Sequence, residues 1–598
     1  MKALPKQGVF TDSLHSPMGM RPVGSEIPFS DTIRDEWEKF ELVPCKYLKP
    51  DAPKPKNFQQ YCVYLSLKQN NICNGCGTGL GKTLMCYLTY FYYKMKYPNT
   101  KLIVITTASA VMQYAKEFYK FFEDSAFVPC VFHDGMHKGL KGVKTYAEAR
   151  RMAVDSFSDM AEGNITSVFM NYSVLLREGE NLANAIKSIR AQGGRVFLIL
   201  DEASHFKNLK SQTFKIVYNL SKMSDKVLAA TATITNGRLE EIYAVLKGIN
   251  ITPFGNKADF LKRFCVTVNL PGQPFGYDIM GYKNVAEFVS LVKPYLVSLR
   301  RKDVLTQLPR VSRHICYVEH DDEQYEIISD LYNGVISFMP PEDGQKVYGA
   351  MDREVFELTI TNFIKMALQD PYILSPEHQR RPKGYKSPKT REIIRILEEE
   401  VVSESVIIYT PSKRYMYTLR DVMKSSTTLP KWYTDPLIIN GDIPTAERER
   451  IKEMFTNDPS HKVIIINEAA SEAINLQTAQ AMIICSIPPT FGRMVQVVGR
   501  YNRIGSQHDS LSLYFLLTEN SQDEDEYMIS NQQGILVSTV TKEDYEGVLD
   551  LDYINRRKKD TVDEITDEDL RNASIPTLVF KKRAKRKTFY AKSSRKKK

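Results

Sequence analysis

Apolar residues run without polar interruption through Leu102–Thr106, Ser167–Met170, Val196–Leu200 and Val227–Thr231, and the spans between these runs carry helical periodicity. A short run of this kind predicts a strand buried on both faces. Such strands alternating with helices predict right-handed βαβ crossovers and an open parallel sheet covered by helices on either side. The pattern returns from about residue 400, at Val406–Tyr409, Val463–Ile466, Met482–Cys485 and Leu511–Leu517. The expected fold is α/β, with two tandem lobes at residues 51–310 and 311–550. A helical insertion is expected at about 321–380, an N-terminal extension at 1–50 and a C-terminal extension at 551–598. Helical patterns also cover Asn57–Leu67 and Leu84–Tyr93, and a short helix is expected about Asp35–Leu42.

Composition agrees with several cores. At 598 residues and 43% apolar content the chain exceeds a single compact domain. No charged and then apolar leader follows Met1, and no run approaches the roughly 20 apolar residues of a membrane helix. A soluble intracellular protein is expected, cytoplasmic in a bacterium or phage and nuclear in a eukaryote. The nine cysteines form no spaced framework, which fits a reducing compartment. Cys73 and Cys76 make one Cys-x-x-Cys without a second pair to complete a zinc set. His133 and His137 flank Asp-Gly-Met, but Gly135 breaks a helix and no general-base Glu is present, so they read as surface histidines.

Net charge is +10, with 81 basic against 71 acidic residues. The last stretch, Lys581 to Lys598, holds 11 Lys or Arg and no acid, which leaves 70 basic against 71 acidic residues elsewhere. The body is near neutral, and the basic tail reads as a polyanion-seeking, disordered segment.

The chemistry centres on Cys76-Gly77-Thr78-Gly79-Leu80-Gly81-Lys82-Thr83. Glycines let successive backbone N–H groups face a phosphate, and the following helix N-terminus adds a positive dipole. Lys82 would reach the β- and γ-phosphates and Thr83 would hold Mg²⁺. Cys76 stands where the strict motif has glycine. Upstream, Gln59 is either an adenine contact or a solvated helix residue. The run Val196–Leu200 ends in Asp201-Glu202, a carboxylate pair at the strand edge where open α/β sheets bind ligands. There Asp201 would hold Mg²⁺ and Glu202 would orient and deprotonate the attacking water. In the second lobe, Arg500 and Arg503 lie three apart in Gln496-Val497-Val498-Gly499-Arg500-Tyr501-Asn502-Arg503, either as arginine fingers or as solvated surface arginines.

Taken in order, these motifs resemble the superfamily-two helicase core, and most closely the Swi/Snf-type DNA-dependent ATPases, over about residues 55–520. Cys76–Thr83 resembles motif I, Leu102–Ser109 motif Ia, Asp201–Asn208 motif II and Thr231–Glu241 motif III. Lys293-Pro294-Tyr295-Leu296 followed by Arg300-Arg301-Lys302-Asp303-Val304-Leu305 and Leu308-Pro309 is similar to that family's own inter-lobe signature. Asn440-Gly441-Asp442, Asn475-Leu476 and Gln496–Gly505 complete the order through motif VI.

The resemblance implies two RecA-like lobes and a compact member of viral or bacterial kind. It implies ATP and Mg²⁺ as cofactors, with Gln59, Gly77, Thr78, Gly79, Leu80, Gly81, Lys82, Thr83 and Gln496 binding nucleotide and Arg500 and Arg503 as fingers. It also implies duplex DNA, bound through its backbone, as partner, with Thr107, Ser109, Asn171, Tyr172 and Asn475 near the strand. The chain departs from the family at Cys76 (usually Asp), Ser204 (usually His), Ile234 (usually Pro) and Ala469–Asn475 (usually glycine-rich). Ser204 and the last stretch bear on how hydrolysis couples to DNA. The expected function is an ATP-dependent translocase on duplex DNA. Its rivals are a strand-separating DNA or RNA helicase and a non-hydrolysing nucleic-acid scaffold.

Overall fold

A computed structural model of the chain describes residues 37–77, 79–108, 110–123, 129–132, 146–269, 277–299, 304, 309–333, 335–340, 342–343, 353–377, 380–468, 476–499, 502, 506, 508–541, 545 and 548–550. They fall into two units. One holds the described residues up to 304 together with 535–541, and the other holds 309–534 with 545 and 548–550.

The first unit runs α1 (Asn57–Leu67), β1 (Asn71–Asn74), α2 (Lys82–Lys96), β2 (Thr100–Thr106), α3 (Val111–Phe121), β3 (Pro129–Phe132), α4 (Tyr146–Glu162), β4 (Ser167–Asn171) and α5 (Tyr172–Ala191). It continues through β5 (Arg195–Asp201), α6 (Gln212–Met223), β6 (Lys226–Ala230), α7 (Leu239–Gly248) and α8 (Lys257–Phe264). A hairpin of β7 (Cys265–Asn269) and β8 (Tyr277–Tyr282), then α9 (Val285–Val292) and β9 (Leu296–Val297), complete it. Seven strands form one parallel sheet in the order β3-β4-β2-β5-β6-β1-β9, while β7 and β8 pair antiparallel.

The expected strands β2, β4, β5 and β6 occupy the middle of that sheet. Their continuous apolar runs follow from burial on both faces: every residue of β2, β4 and β6 is buried. Register then does what composition cannot. Thr106 pairs with Asn171, Asp201 with Ala230 and Ala230 with Asn74, so the C-terminal ends of five strands meet along one edge. The loop after β1 and the carboxylates after β5 open on that edge. Beneath it, α2 is held by aromatic packing, with Phe91 stacked on Phe122 at 4.7 Å and the Tyr87 hydroxyl donating to the Tyr114 carbonyl at 2.6 Å. The helix that follows the loop is thereby anchored to α3.

One buried cation lies at the opposite edge. Lys226, fully buried at the start of β6, donates to the carbonyls of Ser66 and Gln69 at the C-terminal end of α1. Burial pushes its pKa down to about 7. Between about pH 7 and 10.5 the unfolded chain therefore binds more protons at this position than the folded one, and stability rises with pH across that window. Lys226→Met should abolish this component. Denaturant titrations should show wild type gaining on the variant by up to about 1.4 kcal/mol per pH unit from pH 7 to 10.

The second unit begins with β10 (Arg310–Val318), α10 (Asp322–Tyr332), α11 (Arg353–Gln369), α12 (Pro388–Arg395), β11 (Val406–Tyr409), α13 (Lys413–Lys424) and α14 (Lys431–Thr434). It goes on through β12 (Leu437–Ile439), α15 (Thr445–Asn457), β13 (Val463–Ile466), β14 (Ala481–Ile484), α16 (Phe491–Val498), β15 (Ser510–Thr518) and the start of α17 (Gln522–Thr541), whose residues 535–541 count with the first unit. Its sheet is also parallel throughout, in the order β10-β15-β14-β11-β13-β12. Lys389 and Asp523 form an ion pair at 2.6 Å with side chains 0% and 3% exposed, and Lys389 also donates to the Cys485 carbonyl. The charges satisfy each other, which joins α12 to the start of α17 inside the core.

Several elements were not expected from the sequence. β1, β3, β9 and β12 are too short or too polar at their ends to register as apolar runs. β10 alternates exposed and half-buried positions and buries only its last residue, Val318, as befits an edge strand. Of the helix expected about Asp35–Leu42, residues from Trp37 are described, and the chain turns at once, with Phe40 N–H donating to the Trp37 carbonyl. Among the described residues no helix is long and apolar enough to cross a membrane.

Candidate nucleotide-binding site

The loop between β1 and α2 is pinned before it turns. Gly75 N–H donates to the Val297 carbonyl at 2.7 Å, and Asn74 Oδ1 accepts from Cys76 N–H at 3.1 Å. A Cβ at Gly75 would lie 2.7 Å from Leu296 Cδ1, so a larger residue would have to displace that buried side chain. Gly79 and Gly81 take φ of +81° and +80°, the left-handed region that strains other residues.

Gln59 is neither solvated nor free. It is 8% exposed, accepts from Lys56 N–H at 2.9 Å and donates to the Leu80 carbonyl at 3.0 Å, so α1 holds the far side of the loop. These contacts separate two substitutions. At Gly79 a Cβ would meet nothing within 4 Å, whereas at Gly81 it would lie 2.5 Å from Gln59 Nε2. Gly79→Ala should carry backbone strain alone, about 1 to 2 kcal/mol. Gly81→Ala adds the displacement of Gln59 and should lower nucleotide affinity several-fold more, read by titrating a fluorescent ATP analogue against both variants.

α2 starts with Gly81 at its N-cap and no side chain capping it. Its first-turn amides are open to an anion, and the helix dipole favours one there. Lys82 Nζ donates to the Cys76 and Gly77 carbonyls, both at 3.1 Å. Burial pulls its pKa down, opposed by the nearby charges of Glu202 and Asp201.

At the end of β5, Asp201 Oδ2 accepts from the Thr106 hydroxyl at 2.7 Å, and the Asp201 carbonyl accepts from the Tyr172 hydroxyl at 2.8 Å. Burial, and then the Glu202 charge, raise the Asp201 pKa to about 6, against the pull of Thr106 and Lys82. Glu202 follows with φ +51°, a strained conformation for a residue with a side chain. Its Oε1 lies 3.2 Å from Ser204 Oγ and 3.4 Å from Thr231 Oγ1. Two carboxylates and a half-buried Thr83 hydroxyl offer hard oxygen donors, and beside the single charge of the half-buried Lys82 they leave an excess of negative charge. That is the chemistry a Mg²⁺ ion requires.

Other candidate positions divide. Thr78, Ser109, Asn475, Arg500 and Arg503 lie outside the described residues, as do His133 and His137. Gly77 and Leu80 lie in the loop with Gly79 and Gly81. Gln496 is on α16 in the second unit, within 3.4 Å of Arg493 Nη1, and α16 is fixed at its start by Phe491 N–H donating to Gln533. Thr107 is half-buried at the end of β2.

Asn171 and Tyr172 face the protein. Asn171 is 1% exposed and caps α5 by accepting from Val174 N–H, and Tyr172 is 6% exposed and stacked on His205 at 4.6 Å. An N-cap side chain must fold back on its own helix, so neither is open to a nucleic-acid strand as placed. The exposed groups at that corner include Ser173, Leu176 and Arg177, which the sequence did not single out. Cys73 and Cys76 are fully buried, and Cys76 Sγ lies 3.8 Å from Cys62 Sγ. Burial pushes the Cys73 thiol up to about 12.

Sequence reading also missed Thr106, Ser204 and Thr231 as partners of the two carboxylates. Thr106 closes a predicted strand, but only the adjacency of β2 and β5 brings it to Asp201.

Comparison with known families decides what holds this site. The SNF2-related domain matches residues 59–369, and the helicase conserved C-terminal domain matches 388–505. The chain belongs to the SNF2-related family. Both matched domains are of the helicase-like, Swi/Snf type of ATPase. Relatives include the human DNA annealing helicase and endonuclease ZRANB3, 20% identical over 492 residues, which are 79% of this chain and 39% of that protein. The uncharacterized ATP-dependent helicase YqhH of Bacillus subtilis is 23% identical over 461 residues, 75% of this chain and 72% of that protein. The chain thus spans about two fifths of the length of the first of these SNF2 relatives. The Sulfolobus solfataricus SWI2/SNF2 ATPase core in complex with dsDNA is 19% identical, with a TM-score of 0.35, covering 89% of this chain and 99% of that one.

Proposed function

We propose that the chain is a DNA-stimulated motor that uses ATP hydrolysis to move along duplex DNA without sequence preference. The observation that carries this reading is the clustering of Lys82, Asp201 and Glu202 at the loop edge of the first sheet, in a chain of the SNF2-related family. Family relatives are named for action on DNA, and the inter-lobe signature of the sequence favours the Swi/Snf branch.

On nucleotide binding, Lys82 exchanges the Cys76 and Gly77 carbonyls for phosphate oxygens, and the open amides of α2 take the remaining phosphate charge. Thr83 and Asp201 would hold Mg²⁺, which would neutralise phosphate charge when bound. Glu202 orients water and accepts its proton. Arg500 and Arg503 serve as fingers, which in other phosphoryl-transfer enzymes contribute about 10³ to 10⁵ in rate. DNA is tracked by its phosphates from the Thr107 loop and the Ser173–Arg177 corner, so affinity falls steeply with salt.

The test is ATP hydrolysis by the purified chain alone, with duplex DNA, with single-stranded DNA and with RNA, beside a Lys82→Ala control. Stimulation chiefly by duplex DNA supports the translocase. Stimulation chiefly by single strands or RNA overturns it in favour of a strand-separating helicase.

A further inference from the structure

Glu202 needs an orienting partner. Its backbone sits at φ +51°, and the chain turns immediately into a 3₁₀ turn at Ala203–Phe206. That left-handed step folds residue 204 back over residue 202, so that the Ser204 hydroxyl reaches Glu202 Oε1 at 3.2 Å. The His205 N–H donates to the Glu202 carbonyl at 3.1 Å and closes the same turn.

The second neighbour of that oxygen is a weaker restraint. Thr231 Oγ1 accepts from Thr233 N–H at 3.1 Å, which leaves one hydroxyl hydrogen and two acceptors for it. Those acceptors are the Thr233 carbonyl at 3.1 Å and Glu202 Oε1 at 3.4 Å. The nearer and tighter geometry is the local one, within the Thr231–Thr233 turn. Ser204 carries no such competition: among the described residues its hydroxyl has the Glu202 carboxylate as its one side-chain partner.

We infer that Ser204 is a positioning residue for ATP hydrolysis, donating to Glu202 Oε1 so that the other carboxylate oxygen is held toward the attacking water. The inference rests on the reading of Glu202 as general base. A base must stay within roughly 0.5 Å and 10–20° of its productive geometry, and a carboxylate fixed at one oxygen loses the rotation that would take it out of line. A hydroxyl two residues on achieves this through a local turn. Loss of one hydrogen bond to a charged group corresponds to about tenfold in rate.

The experiment compares Ser204→Ala, Ser204→Thr and Glu202→Gln in steady-state ATP hydrolysis with saturating nucleic acid. Ser204→Ala should lower kcat about tenfold with KM for ATP within about twofold of wild type. Ser204→Thr, which keeps the hydroxyl, should return kcat to within about threefold of wild type. Equal losses in the Ala and Thr variants, or a Ser204→Ala loss that appears in KM alone, overturns the positioning role, as does wild-type kcat in Ser204→Ala. The Glu202→Gln arm isolates the underlying reading: if that variant turns over like wild type, the assignment of Glu202 has failed, whatever Ser204 does.

Discussion

Glu202→Gln is expected to bind ATP within about threefold of wild type and to hydrolyse it about 10² to 10⁴ times more slowly. The substitution keeps volume and leaves an amide oxygen that still accepts from Ser204 at the position 3.2 Å away. It removes the proton affinity on which activation of water depends. In the proposed mechanism the ground-state contacts to the nucleotide come from the loop amides and Lys82, so they should survive, and the loss should fall on kcat rather than KM. Phosphate release at saturating ATP, beside equilibrium binding of a fluorescent nucleotide, separates the two quantities. Turnover above about a tenth of wild type would remove Glu202 from the role of base.

Lys82→Ala should lose both binding and turnover, with at least about a 10³-fold fall in kcat/KM, because in the proposed mechanism the lysine charge meets the phosphates in the ground state and more strongly in the transition state. Its effect on the fold should run the other way. Burial lowers the pKa of Lys82, so its charge is a net cost to the nucleotide-free protein even beside Glu202 and Asp201. Removing it should leave the melting temperature of the free protein unchanged or slightly raised. Added nucleotide should stabilise wild type and not the variant. A large drop in the melting temperature of nucleotide-free Lys82→Ala would mean that its hydrogen bonds to the Cys76 and Gly77 carbonyls outweigh its desolvation.

These two variants test residues legible in the sequence, since Gly-Lys-Thr and Asp-Glu carry their chemistry in their order. The residues around them were not legible. Gln59 reads equally well as a surface residue until α1 is seen to lie against the loop, where its amide donates to Leu80. Asn171 and Tyr172 read as candidates for nucleic-acid contact, but helix capping and a stacked histidine turn them inward. Side-chain direction at a strand-to-helix junction depends on the cap, and one residue of phase exchanges a buried group for an exposed one.

The sequence by itself determined the central strands of both sheets, because parallel strands buried on both faces must be apolar throughout, and that requirement is written in consecutive residues. It also determined the phosphate loop, whose backbone conformation only glycines tolerate at positions such as Gly79 and Gly81. Tertiary structure alone decided the short strands β1 and β9 beside the loop, the order of the strands, and with that order the meeting of Thr106 with Asp201 and of Thr231 with Glu202. Local pattern reports whether a residue is buried. Which buried or edge residues become neighbours is set by sheet register, which comes from contacts between segments far apart in the chain, and by local turns such as the left-handed step at Glu202.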